Sequence, residues 1–348
     1  MRHLLNTLYV STQKSYLSKE GDTVVIEAPD ENGERKKIKQ IPIHLLDSVV
    51  CLGNVLCSPF LLGFCAERDV SVSFLSEYGR FLASVRGPVS GNVLLRRQQF
   101  RMADDENATR SIAINEIRGK LANCRVVLNR TIRDNGDKVD IASIKNVSDI
   151  LSRIIDNVSR CKTTDEVRGL EGQGAASYFS VFNHLITNQK DDFIFNERNR
   201  RPPLDEVNAL LSFTYTLLTH DVRSALETVG LDPQVGFLHR DRSGRPSLAL
   251  DLMEEFRPVL ADRLVLSLIN RKQVSKKDFT KSASGAVLMN DDTRKTLIQE
   301  YQNRKQEEIY HSFIKEKVKI GLLFFIQANL LARHIRGDID GYPPFFWR

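Results

Sequence analysis

The sequence has 348 residues, 41% of them hydrophobic and 27% charged, with a formal net charge of +6. That length is more than one hydrophobic core usually serves, so two domains are expected, and the apolar fraction argues against disorder. The positive excess suits an anionic partner, and five cysteines without a C-x-x-C pair argue against a thiolate metal site and fit reduced thiols in a cytoplasm.

Along the chain, residues 1–10 lack the apolar core of a signal peptide. Short Val- and Ile-rich segments at 23–27, 37–41 and 70–75 read as strands, with turns at 21–22, 31–33 and 78–79. Ser58 caps a short helix over 58–66, with Pro59 in its first position. The character changes after Gly87-Pro88, which predicts a β-rich domain over 1–90 and a helical domain over 91–348, an α+β chain. Helical spacing marks 112–127 and 147–158. Thr163 and Glu166 form a capping-box pattern opening a helix to about residue 186. Residues 196–203 (NERNRRPP) are a basic loop, and Asp205 starts the next helix. A break at 230–236 precedes a helix over 248–257, where Pro258 either kinks it or opens another. Residues 292–336 read as largely helical, and 320–332 as a buried helix, too short and too polar at Gln327 and Asn329 to span a membrane.

Three segments carry residues that could do chemistry. Glu171 stands in a helix whose buried side is formed by Leu170, Ser177, Tyr178, Val181, Phe182 and Leu185. Small residues at 172 and 174–177 would let another segment come close. Gly172-x-Gly174-x-x-Ser177 half-matches a dinucleotide fingerprint, but no strand precedes it. His239 ends an apolar run, 235–239, that delivers its imidazole to a charged loop. Further on, Asp251 and Glu254 are spaced i, i+3, and Asp251 and Glu255 i, i+4, so either pair could converge on one helix face. Each segment alone has an ordinary reading: an exposed glutamate, a structural histidine, acids favoured at a helix start. Together, two carboxylates and one imidazole suit Mg²⁺ or Mn²⁺ with water and phosphate completing the shell. Basic runs surround them. Arg198, Arg200 and Arg201, then Arg240, Arg242 and Arg245, then Lys276 and Lys277 (with Arg271, Lys272 and Lys281) are candidates for phosphate contacts with a polyanion.

The segments 170–179 (LEGQGAASYF), 200–218 (RRPPLDEVNALLSFTYTLL) and 236–258 (GFLHRDRSGRPSLALDLMEEFRP) resemble the signature blocks of the CRISPR-associated integrase-endonuclease, the nuclease subunit of spacer acquisition. In detail they are most similar to its subtype I-C branch. The resemblance implies that Glu171, His239 and Glu254 are metal ligands, that Asp251 is a second acid beside them, and that Tyr178 and Tyr215 lie nearby. It implies a homodimer formed through the N-terminal β domain, two such dimers bridged by a small ferredoxin-like adaptor subunit, and insertion of a short DNA duplex into the CRISPR repeat array. The expected activity is metal-dependent transesterification and hydrolysis of DNA phosphodiesters, in the cytoplasm and away from membranes. The rival expectations are a nuclease that only hydrolyses DNA, and a non-catalytic DNA-binding scaffold.

Overall fold

The computed structural model describes residues 7–30, 33–46, 48–68, 70–77, 81–85 and 93–347. The chain divides into two compact units, Met1–Gly91 and Asn92–Arg348. The composition change at 87–88 and the predicted turns at 31–32 and 78–79 lie outside the described residues.

The first unit is β-rich, as the sequence predicts. It holds β1 (Thr7–Val10), β2 (Tyr16–Glu20), β3 (Thr23–Pro29), β4 (Arg35–Pro42), β5 (Ser48–Leu52), β6 (Leu56–Cys57), α1 (Pro59–Ala66), β7 (Ser71–Leu75) and β8 (Phe81–Val85). One sheet has the order β1-β5-β7-β8 and the other β4-β3-β2-β6. The first three strands of the former run parallel. In the latter, β2, β3 and β4 form an antiparallel meander, whose register sets Leu17 opposite Ile26. Leu17, Val24 and Ile26 share one core with Val10, Val49 and Val72 of the other sheet and Leu61 and Phe64 of α1. Ser58 caps α1 as expected, its side chain accepting from the Leu61 amide at 3.2 Å. The strand β5 (SVVCL) is buried at every position. A strand covered on both faces has no alternation to read, which is why the sequence pattern passes over it.

The second unit is built on helices: α2 (Val93–Asp104), α3 (Glu106–Asn135), α4 (Ile141–Val158), α5 (Thr164–Ser180), α6 (Glu206–Thr228), α7 (Ser247–Met253), α8 (Arg263–Asn270), then the ribbon β9 (Phe279–Lys281) and β10 (Val287–Met289), α9 (Asp291–Gln306), the hairpin β11 (Glu308–His311) and β12 (Glu316–Lys319), and α10 (Leu323–Arg336). The long α3 packs against both α4 and α5, and α6 against α7 and α10. Asp205 caps α6 by accepting from the Asn208 amide at 2.7 Å. Thr163 caps α5 through the Glu166 amide, but the Glu166 carboxylate reaches the Lys162 amide rather than that of Thr163.

Three helical expectations need correction. The helix opened by Thr163 ends at Ser180 rather than near residue 186, and a 3-10 turn, Phe182–Leu185, follows it. Residues 292–336 are not continuous helix, because β11 and β12 interrupt them. Their turn uses Lys315 at φ +58°, a left-handed position that neither Gly nor Asn marks in the sequence. The expected helix over 248–257 ends at Met253, and a π-helical stretch, Arg257–Asp262, follows around Pro258. Glu254 and Glu255 therefore sit in the joint between two helical segments. The predicted buried helix over 320–332 is α10, and among the described residues no helix is long and apolar enough to cross a membrane.

Candidate active site

Glu254 is the centre of the site. Its side chain is 3% exposed, and two cations grip it: Arg257 Nη1 at 2.9 Å from Oε1 and Lys120 Nζ at 2.7 Å from Oε2. Burial works against its charge, but Arg257, Lys120 and then His239 outweigh that cost and hold the carboxyl down at about 2. Lys120 comes from α3 and also pairs with Glu171 of α5. Glu171 and Glu254, far apart in sequence, thus flank one positive charge.

His239 is fixed from behind. Asp251, fully buried in α7, accepts the backbone N–H groups of Phe237, Leu238 and His239 at 2.7, 2.9 and 2.9 Å. It also lies 2.5 Å from His239 Nδ1. A carboxylate at that distance accepts the Nδ1–H, which leaves Nε2 as the lone-pair nitrogen available to a metal. The close approach requires Gly236: a Cβ there would stand 2.6 Å from Asp251 Oδ2 and 2.9 Å from the Ser247 backbone. The segment is tied to α5 as well, since Arg168 donates to Leu238 O at 2.8 Å and Arg240 to Asp165 at 2.9 Å.

Glu255 turns away from its neighbour. It is fully buried, and accepts from Tyr342 Oη at 2.7 Å, the Phe345 amide at 2.8 Å and Gln327 Nε2 at 3.0 Å. Burial pushes this carboxyl up to about 8, although those three donors oppose the shift. Asn123 of α3 donates to both Glu255 O and Phe345 O and accepts from the Trp347 amide, so the segment 342–347 is zipped onto both elements.

These partners decide which acids belong together. Asp251 and Glu254 do not converge as a pair; the first orients His239 and the second meets Lys120 and Arg257. Tyr215 donates to Asp262 at 2.6 Å, and burial raises that carboxyl to about 6 despite the bond. Tyr178 is buried with Asp262 among its charged neighbours. Close approach to α5 occurs at Gly174, where a Cβ would meet Leu121 at 2.5 Å, but not at Gly172, which has nothing within 4 Å. Arg198 is engaged within the protein. Its guanidinium donates to Asn208 and Ser212 and lies over the Tyr215 ring. Arg245, by contrast, feels Arg242, Arg200 and Arg201 as well as Asp251, so two of the basic runs meet beside His239's support. Lys276 and Lys277 are exposed on the short turn before β9.

Sequence reasoning missed Lys120, Arg257 and the partners of Glu255. The signal for Lys120 was present: it falls on the α3 stripe of Ile117, Leu121 and Cys124, where a charged residue must be paired to stay buried.

Among the described residues, no group of three or more His, Cys, Asp or Glu side chains stands placed to hold a metal ion. The donor chemistry nevertheless fits a divalent cation. Two carboxylates share one cation, one imidazole has its free nitrogen defined, and both carboxyl oxygens of buried Glu116, one turn before Lys120, lack a hydrogen-bond partner.

The sequence model of the family "CRISPR associated protein Cas1" matches residues 8–303. The chain belongs to the Cas1 family. A CRISPR-associated endonuclease Cas1 of Chlorobaculum tepidum is 56% identical over the full length of both chains. Among solved structures, a Cas1 protein from Thermotoga maritima superposes with a TM-score of 0.80 at 24% identity, covering 95% of this chain and 97% of that one. A casposase bound to an integration product gives 0.84 at 21% identity, covering 99% and 94%. These two likenesses establish the Cas1 fold, β-rich first and helical after.

Proposed function

We propose that this Cas1 chain is a metal-dependent DNA endonuclease and integrase whose centre is Glu171, His239 and Glu254. The observation that carries the reading is the arrangement itself: two carboxylates from separate helical segments on one cation, with an imidazole oriented by a buried aspartate beside them. Those three residues would hold Mg²⁺ or Mn²⁺, which neutralises charge developing at a phosphodiester. The chain's own groups do the rest. Asp251 fixes the tautomer and aim of the imidazole, Arg257 holds Glu254 in place, and Arg200, Arg201, Arg242 and Arg245 offer sequence-independent phosphate contacts. A DNA 3′-OH attacks phosphorus in integration, and water attacks in cleavage; in each case the former ester oxygen leaves on the displaced strand.

Spacer acquisition within the subtype I-C branch is the setting we infer, in the cytoplasm, with the repeat array as target. Residues 1–90 then serve homodimerisation and docking of a small ferredoxin-like adaptor. The motivation is that the acids gather in the second unit. Sedimentation should find a dimer for the full chain, and weaker association for 91–348 alone.

The decisive experiment supplies the protein with its adaptor, Mn²⁺, a short duplex and a repeat-containing plasmid. Branched products should form, and should vanish with 3′-deoxy duplex ends. Nicking that proceeds equally with either duplex, with no branched product, would leave a plain nuclease.

A further inference from the structure

Lys120 occupies an unusual position for a lysine. It is almost fully buried, and its single ammonium bridges Glu171 and Glu254, with Nζ 2.7 Å from Glu254 Oε2. The other oxygen of Glu254 is taken by Arg257 at 2.9 Å. Held between two carboxylates, the lysine is an ammonium at neutral pH. Without it, buried Glu254 would lose one of its two cations, and Glu171, whose side chain is 26% exposed, would lose the same partner.

We propose that Lys120 is a resident counter-ion that stands in for the divalent cation between Glu171 and Glu254 and competes with it, so that this lysine sets the metal affinity of the site. The inference rests on the metal reading above. Mg²⁺ takes carboxylate oxygens at about 2.0–2.1 Å. An ammonium already ion-paired with both carboxylates cannot keep that place while a second cation enters, because like charges at such separations repel. Metal entry therefore requires Nζ to leave. The four-carbon stem allows this by rotation about its own bonds, with α3 left in place. The apo protein is kept folded by the same group that the metal must displace, so the site is preorganised yet closed to weakly bound ions. A lysine that were only a structural prop would have the opposite signature, since removing it would loosen the carboxylates and weaken metal binding.

Calorimetric Mn²⁺ titrations of wild type, Lys120→Met, Lys120→Arg and His239→Ala test this. Wild type should bind one ion in a manner that His239→Ala weakens. Lys120→Met keeps the length of the stem and removes the charge, and should bind Mn²⁺ about tenfold more tightly or better. Lys120→Arg keeps the charge and should bind no more tightly than wild type. Equal or weaker binding by folded Lys120→Met overturns the proposal while leaving the metal centre standing. Absence of any His239-dependent site in wild type sinks the metal reading, and this inference with it. Should Lys120→Met fail to fold, wild-type protein labelled with ¹³Cε-lysine decides. The resonance missing from Lys120→Arg should move on saturation with Mg²⁺, and a resonance that stays in place overturns the proposal.

Discussion

Glu254 and Glu255 are adjacent residues with opposite fates. The first faces Lys120 and Arg257 and is held down at about 2; the second faces Tyr342, Gln327 and Phe345 and is pushed up to about 8. Both are buried, so desolvation does not separate them. What differs is the neighbour: at Glu254 full positive charges outweigh the cost of burial, whereas at Glu255 a hydroxyl, an amide side chain and a backbone N–H favour the carboxylate but do not outweigh it. One residue serves as a prospective ligand and the other as a rivet, and the joint after α7 lets them point in different directions.

The sharpest way to break this contrast is to remove each acid in turn. Glu254→Ala, like Glu171→Ala or His239→Ala, should abolish strand cleavage and integration, by more than the roughly 10–100-fold typical of losing a group behind a metal ligand. Single-turnover assays on a labelled duplex check it. Wild-type turnover from Glu254→Ala would move the ligand role to Asp251 or Glu255.

Glu255→Ala should instead act on stability. It strands the Tyr342 hydroxyl and the Phe345 N–H, while Gln327 Nε2 keeps Tyr342 Oη and Pro343 O, and should cost about 2–4 kcal/mol in denaturant unfolding. Glu255→Gln keeps the shape and one acceptor and should cost much less. Equal losses from Ala and Gln would mean that charge, not hydrogen bonding, is what this site needs.

The two acids should also bend the pH–stability curve of metal-free protein in opposite directions. Glu255 titrates at about 8 when folded against an ordinary value of 4.5, so the folded state holds the extra proton between them. Stability from this group is full below 4.5 and declines as pH rises towards 8, at up to about 1.4 kcal/mol per pH unit. Glu254, at about 2, contributes stability above 4.5 that is lost as pH falls through about 2. Glu255→Gln should flatten the alkaline decline and leave the acid limb alone; a curve unchanged by it would place the proton elsewhere.

The smallest effect concerns DNA. Arg242→Ala with Arg245→Ala should lower the slope of log affinity against log salt by about 1 for each phosphate that is no longer neutralised, while Glu255→Gln leaves it unchanged. No change from the arginines would make that cluster ordinary surface.

Much of this was legible in the sequence. Apolar periodicity gave α3 to α6, Asp205 and Ser58 gave their caps, and two of the three motif blocks carry the proposed ligands Glu171, His239 and Glu254 together with Asp251. What escaped was non-local. Lys120 belongs to the site only because α3 packs on α5, and Glu255 is a rivet only because residues 342–347 return to it. Arg198 looked like one more member of a basic run, yet Asn208 and Ser212, one and two helical turns into α6, claim its guanidinium. The hairpin in place of helix after Gln306 depends on a lysine adopting a glycine-like φ, which no local pattern announces.

The segment that holds Glu255 also imposes a schedule. Phe345 donates to a carboxyl 90 positions earlier in the chain. At roughly 5–20 residues per second, a ribosome takes about 5–20 s to cover that distance. Throughout that interval the nascent chain already carries Glu171, His239 and Glu254 but not the aromatic clasp over α3 and the α7 joint. A polypeptide arrested before residue 342 thus carries every proposed ligand without the strap that anchors the residue next to Glu254.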